Sequence, residues 1–182
     1  LGLYEQAQHQ YEQVLTSMQT IHNPYWKSWL YSSYGHLHYL RGNPIAAQAA
    51  HTQTRQFIQQ GKSHVEEQWL LIGLGHALAT LHEWEAAEHC YQQAIAFHQE
   101  TNWVYRTADA HAGLAALLLA QNEIAAALTH SETALAILGR QGLAASKEPF
   151  RIYWTGVCVL EANHDQRAVE VLRTASQILQ AT

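Results

Sequence analysis

Positively charged residues are scarce in this chain. Its 182 residues include 10 lysines and arginines against 15 aspartates and glutamates, and the formal net charge is -5. A protein that binds DNA or RNA neutralises the phosphates with clustered Lys and Arg side chains. No window of the sequence holds such a cluster, so we expect no direct contact with nucleic acid.

Cysteines and long apolar runs are also lacking. Cys90 and Cys158 stand far apart in apolar helical surroundings, and we expect free thiols in a reducing, cytoplasmic compartment because a disulfide framework needs more cysteines. The longest apolar runs, such as residues 112–120, fall far short of the roughly 20 residues that span a bilayer, so we expect no membrane partner. The chain opens on Leu1 without a signal region, and we expect it to be a segment of a longer protein.

Sequence motifs of common catalytic sites are also missing. The sequence contains no Walker loop, no His-Glu-x-x-His and no Gly-x-Ser-x-Gly. Residues 73–75 begin like a dinucleotide loop, but no strand precedes them. The thirteen histidines suggest metal binding, yet a helix-spaced pair such as Glu85 and His89 provides two ligands where zinc needs three or four. We therefore predict that the chain is not an enzyme and that it holds neither a cofactor nor a metal.

An alanine recurs at a nearly constant interval through the chain. The spacings are 40, 40, 40 and 41 residues, and the alanines are Ala7, Ala47, Ala87, Ala127 and Ala168. Four residues later come Tyr11, His51, Tyr91, Ser131 and Leu172, and seven residues later Val14, Thr54, Ala94, Ala134 and Ala175. Spacings of four and seven place these residues on one face of a helix, which we predict to be the face that packs.

A second small residue precedes each internal alanine by twelve positions. The four are Gly35, Gly75, Ala115 and Gly156, and a small residue lets two antiparallel helices approach closely. Polar or turn-forming residues separate the two sites. The pattern predicts nine helices and no strands, with the helices at 3–20, 25–41, 44–60, 65–81, 84–99, 103–120, 123–139, 148–162 and 165–180.

These residues resemble the tetratricopeptide repeat, which has a large residue and Gly, then Ala twelve positions on, an aromatic at +4 and a small residue at +7. The best example combines Leu74-Gly75 with Ala87, Tyr91 and Ala94. The period of about 40 exceeds the family's 34. The resemblance implies an all-α, right-handed α-solenoid that forms a single domain over residues 1–182. Its helix pairs would cover 25–60, 65–99, 103–139 and 148–180, preceded by a lone helix at 3–20.

The concave face of such a solenoid is lined by the first helix of each pair and commonly binds the partner. The candidates on this face are Trp29, Ser32, His36, Tyr39, Trp69, Ile72, His76, Asp109, Phe150 and Tyr153. Trp29 with His36 and Trp69 with His76 recur at the same phase. Two interpretations stay open for these pairs: an aromatic groove that binds a peptide or small ligand, or packing between adjacent repeats.

The first helix has no repeat partner before it in this chain. Its residues Leu3, Ala7, Tyr11 and Val14 should then form an uncovered apolar stripe. Upstream sequence, a second copy in a homodimer or a crystal neighbour would cover such a stripe. The other possibility is that the helix packs fully against residues 25–41.

Repeats of this length look like the helical arms of MalT-type bacterial transcriptional regulators and related ATPase or cyclase proteins. That resemblance implies a regulatory arm in a bacterial regulator. We expect a non-catalytic module that binds a protein or peptide partner. The alternatives are a small-ligand sensor arm and a structural self-association module.

Overall fold

The fold is all-α, as the sequence predicts. A computed structural model describes residues 2–20, 22–61, 65–101 and 107–181, and within those ranges it contains nine α-helices and no strand. The helices are α1 (Gly2–Ser17), α2 (Pro24–Leu40), α3 (Pro44–Gly61), α4 (Val65–Thr80), α5 (Trp84–Thr101), α6 (Ala108–Ala120), α7 (Ile124–Gln141), α8 (Pro149–Ala162) and α9 (Arg167–Ala181). Short 3₁₀ turns occur at Met18–Thr20 and Leu143–Ala145.

The predicted helix ranges agree closely with these bounds. The start of the sixth predicted helix, residues 103–106, lies outside the described residues. We use "leading helix" for α2, α4, α6 and α8, and "trailing helix" for α3, α5, α7 and α9. By its phase in the repeat, α1 corresponds to a trailing helix.

Four turns between leading and trailing helices end the leading helix in the same way. Each contains one residue of positive φ: Gly42 at 73°, His82 at 62°, Asn122 at 64° and His164 at 55°. In each turn the following N–H donates to a carbonyl five residues back, as from Glu83 N to Leu78 O at 3.0 Å. This is the Schellman arrangement, which satisfies carbonyls that the end of a helix leaves without partners.

The chain divides into two compact units, residues 1–90 and 91–182. In the first unit α2 packs against α3, and α4 packs against both. In the second unit α6 packs against α7, and α8 packs against both of these and against α9. One apolar cluster of the second unit joins α6, α7 and α8 through Ala108, Ala112, Ala134, Ile137, Leu138 and Ile152.

Glycines lie where the helices approach most closely, as predicted for Gly35 and Gly156. A Cβ added at Gly35 would come within 2.8 Å of the His51 ring, and one at Gly156 within 2.8 Å of Leu135. His51 also meets Gly73 on its other side, so α3 inserts an imidazole between α2 and α4. Tyr91 meets Gly113 of α6 in the same way. The recurring small residues therefore set how closely the helices pack.

Candidate binding groove

An apolar groove opens between α1 and α2. Its volume is about 680 Å³, and it is lined by Gln13, Val14, Ser17, Met18, Trp26, Trp29 and Leu30. Asn23 caps α2 by accepting hydrogen bonds from the N–H groups of Tyr25 and Trp26, which fixes the start of the helix that carries both tryptophans. We call this feature the α1–α2 groove.

The α1 wall of the groove is a helix face that the other repeats bury. Val14 is 44% exposed, whereas Thr54 and Ala94, at the same phase, are fully buried. Tyr11 is partly exposed, whereas His51 is buried. The difference arises because α3 packs against two leading helices, α2 and α4, whereas within the described residues α1 packs mainly against α2.

The α2 wall shows the same contrast. His76 of α4 is 4% exposed because its ring stacks on Tyr39 of α2, with ring centroids 5.3 Å apart. Its counterpart on α2, His36, is partly exposed, and Trp29 is 48% exposed. His76 thus packs between α2 and α4, whereas Trp29 lines the open groove on α2.

One polar contact holds α1 on α2 beyond the groove. The hydroxyl of Tyr34 donates to Glu12 Oε1 at 3.2 Å, and the Tyr11 and Tyr34 rings lie 5.8 Å apart. Hydrogen bonds from Gln8 and Tyr34 lower the pKa of the Glu12 carboxyl. Burial, together with the hydrogen bond to Glu12, raises the pKa of Tyr34. The groove therefore lies along the C-terminal part of α1, while this contact fixes the middle of the helix.

The structure distributes the ten predicted site residues over several environments. Trp29 lines the groove, and His36, Tyr39 and His76 form a row of rings across α2 and α4. Trp69 is partly exposed, and Phe150 is exposed in the second unit. Tyr153 packs against the apolar cluster of that unit. The remaining residues, Ser32, Ile72 and Asp109, are buried as His76 is, so the structure does not place these four on an open face. A binding role for the set stays a prediction.

Asp109 has a structural position instead. Its carboxylate accepts hydrogen bonds from Ser146 Oγ at 2.7 Å and from the N–H of Lys147 at 3.3 Å, and Arg151 Nη2 lies 3.8 Å away. These contacts fasten the segment between α7 and α8 to α6. Sequence phase placed Asp109 on the concave side, but this segment covers it.

Sequence reasoning missed Trp26 and Met18, which line the groove. Both are apolar residues outside the repeat positions that were compared. The exposed apolar stripe predicted for α1 was the available signal, because Met18 follows Val14 by four positions and shares its helix face.

Neither cysteine has the character of a reactive thiol. Cys90 is buried and Cys158 is partly buried, and burial raises the pKa of both thiols. A thiol with a raised pKa is a poor nucleophile at neutral pH because little of it is ionised. In the described ranges, no three His, Cys, Asp or Glu side chains meet as a metal site would require. Across the same part of the chain, no helix has both the length and the apolar character for crossing a bilayer.

No family model matches this chain, and no curated protein matches it in sequence. Its fold is similar to those of several solved structures. BtubC (BKLC) from P. vanneervenii has a TM-score of 0.73 and 20% identity, over 99% of this chain and 74% of its own. The apo form of RapI has a TM-score of 0.70 and 13% identity, over 100% of this chain.

The chain spans 50% of the length of RapI. At these identities the likeness concerns the fold alone, which is an all-helical, tetratricopeptide-like fold.

Proposed function

We propose that this chain is a non-catalytic interaction module that binds an apolar segment of a partner protein in the α1–α2 groove. The observation that carries the proposal is the exposure of two tryptophans, Trp26 and Trp29, on one wall of that groove. Exposed aromatic residues that line a concave apolar surface are typical of binding hot spots.

The proposal also names the kind of module, which is a regulatory arm. The resemblance to MalT-type arms supports a module that carries signals in a bacterial regulator, with no direct nucleic-acid or membrane contact and no cofactor. A binding role is also the one that the available chemistry supports, since both thiols have raised pKa values and the groove walls hold no ionisable side chain.

Two alternative functions are each supported by one observation. The groove volume lies in the range of about 300–1,000 Å³ that is usual for small-molecule sites, which favours a small-ligand sensor arm. Leu3 on α1 and Val169 on α9 are strongly exposed, which favours self-association, including a homodimer through the predicted helix 3–20.

The experiment compares two tryptophan variants with the wild type. Trp26→Ala/Trp29→Ala removes one wall of the groove, and Trp154→Ala removes an exposed tryptophan from α8 as a matched control. All three proteins are used as bait in the native host, and the bound proteins are quantified by mass spectrometry. We expect a partner that the wild type and Trp154→Ala retain and the double variant loses, at unchanged melting temperatures.

The same three proteins separate the alternatives. A small molecule that native mass spectrometry finds on the wild type, and that the double variant loses, would replace the proposal with the sensor arm. A dimer that the double variant dissociates, measured by light scattering, would replace it with self-association. Identical partner lists for folded wild type and double variant would contradict the proposal.

A further inference from the structure

Two histidines of the second unit meet in the contact between α6 and α7. The Nδ1 atoms of His111 and His130 lie 2.9 Å apart, and the ring centroids are separated by 5.2 Å. One ring donates this hydrogen bond and the other accepts it, because a neutral imidazole carries one N–H and one lone pair. Both side chains are partly buried. Two nitrogen ligands from neighbouring helices therefore point at one place between those helices.

The pair stands where the other repeats carry mostly apolar side chains. By the spacing of 40 or 41 residues, His111 corresponds to Tyr31, Leu71 and Ile152, and His130 corresponds to Ala50, Cys90 and Val171. Four of these six residues are buried, namely Leu71, Ile152, Ala50 and Cys90. Two polar rings are less favourable than apolar side chains at such a helix contact. The third repeat thus departs from the apolar pattern at two positions that touch each other.

The distance between the two nitrogens matches a transition-metal ion. Two metal–nitrogen bonds of about 2.0–2.1 Å that meet at a right angle place the nitrogens about 2.9 Å apart. A right angle between neighbouring ligands is the geometry of tetragonal Cu²⁺ and Ni²⁺ centres, and imidazole is a good ligand for both ions. The tetrahedral angle that zinc prefers would need about 3.3 Å. The rings have to turn until both lone pairs meet at the ion, while the separation of the helices can stay as it is.

The donor atoms also restrict which ion is bound. Mg²⁺ and Ca²⁺ prefer oxygen ligands, and this pair provides nitrogen. When the ion takes both Nδ1 atoms, the donating ring moves its proton to Nε2 and stays neutral. Across the described residues, no third His, Cys, Asp or Glu joins the pair. Water would fill the remaining positions of the ion, so the site is an open one and differs from a closed structural zinc centre.

We propose that His111 and His130 form an open two-histidine site that binds one Cu²⁺ or Ni²⁺ ion between α6 and α7. The site goes beyond the proposed function and does not depend on it, because the α1–α2 groove belongs to the first unit and the two histidines belong to the second. Nineteen residues separate the pair in the sequence. The helical spacing that relates Glu85 to His89 therefore did not reveal it.

The test is a titration of the untagged, metal-stripped full chain with Cu²⁺, measured by calorimetry and by electron paramagnetic resonance. We expect one site per chain that fills before any weaker site, with two imidazole nitrogens in its spectrum. His111→Leu introduces the residue of the second repeat, and His130→Ala introduces that of the first repeat. Each should weaken Cu²⁺ binding at least about tenfold, since loss of even an outer partner of a metal ligand has such an effect. His89→Gln, at an exposed position on α5, is the matched control and should bind as the wild type does.

Three outcomes would overturn the inference. These are equal Cu²⁺ affinity of the wild type and a folded His111→Leu or His130→Ala protein, a wild-type spectrum with a single nitrogen, or loss of the first site in His89→Gln. If the two variants do not fold, the nitrogen count of the wild type decides the question by itself. The Trp26→Ala/Trp29→Ala protein should bind Cu²⁺ unchanged, so failure of this site and failure of the proposed function are distinguishable.

Discussion

The carboxylate of Asp109 on α6 accepts a 2.7 Å hydrogen bond from the hydroxyl of Ser146, which lies 37 residues further along the chain. The Ser146 hydroxyl in turn accepts from the N–H of Glu148, just before α8 begins. One buried acid thus sets the path of the longest described connection in the second unit. This geometry gives Asp109 a role in stability.

Replacement of Asp109 by alanine should destabilise the protein by about 2–4 kcal/mol, because Arg151 and two hydrogen-bond donors lose a buried partner. The measurement is the free energy of unfolding in urea. Ser146→Ala should lower that free energy by only about 1 kcal/mol. Equal stability of the Asp109→Ala protein and the wild type would contradict this assignment.

Two helical glycines of the second unit should respond oppositely to alanine. A Cβ at Gly113 would lie 2.5 Å from the buried Tyr91 ring, whereas a Cβ at Gly139 would meet nothing within 4 Å. Gly113→Ala should lower the unfolding free energy by about 1–3 kcal/mol. Gly139→Ala should raise it by about 0.5–1 kcal/mol, because alanine favours the helix. Thermal denaturation of both variants checks the sign, and a stabilised Gly113→Ala protein would refute the close contact.

The left-handed turn before α9 offers a stabilising substitution. His164 has a φ of 55°, a conformation that costs a residue with a Cβ about 1 kcal/mol. His164→Gly should therefore raise the unfolding free energy by up to about 1 kcal/mol. His164→Val, which disfavours this conformation more strongly, is the control and should lower it. A destabilised His164→Gly protein would show that the imidazole itself stabilises the turn.

The stability of the first unit should depend on pH through His38. Burial lowers the pKa of this imidazole from its usual 6.5, and nearby Arg41 adds to the effect. The folded state therefore prefers neutral His38, so stability is complete above about pH 6.5 and falls as the pH drops through that value towards the folded pKa. The carboxylate of Glu12 acts in the opposite direction and raises the pKa of His38. The centroids of the Tyr34 and His38 rings lie 4.3 Å apart.

The test is the change in melting temperature between pH 8 and pH 5.5. His38→Gln should reduce the loss of stability at the lower pH. The control is His89→Gln, at an exposed position on α5, which should lose as much stability at the lower pH as the wild type. An unchanged pH dependence in the His38→Gln protein would show that other groups produce it.

The sequence was sufficient for the helices because Ala47, Ala87 and Ala127 mark the same helix face at a fixed interval, and all three are fully buried. It was not sufficient for exposure. Trp29 on α2 and Trp69 on α4 have the same phase, yet Trp29 is exposed and Trp69 is partly buried. Exposure at one phase depends on which neighbours exist in space, and periodicity does not contain that information.

The candidate site was predictable in part for a related reason. The sequence predicted an exposed apolar stripe on α1, and Leu3 and Val14 are exposed there, while Ala7 and Tyr11 are partly buried. Gly73 had no explanation in the sequence, because its role depends on the ring of His51, 22 residues earlier. The burial of Asp109 was not predictable because the segment that covers it, around residues 146–147, lies outside the repeat pattern.

The most direct measurement is hydrogen–deuterium exchange of the full chain with and without the partner that the wild type retains and the Trp26→Ala/Trp29→Ala variant loses. We predict slower exchange on binding in α1 and in the first half of α2, with α9 unchanged, because the partner covers the face that carries Val14 and Trp29. Protection confined to α9, or no protection in α1 at saturating partner, would contradict the claim that the α1–α2 groove is the binding surface.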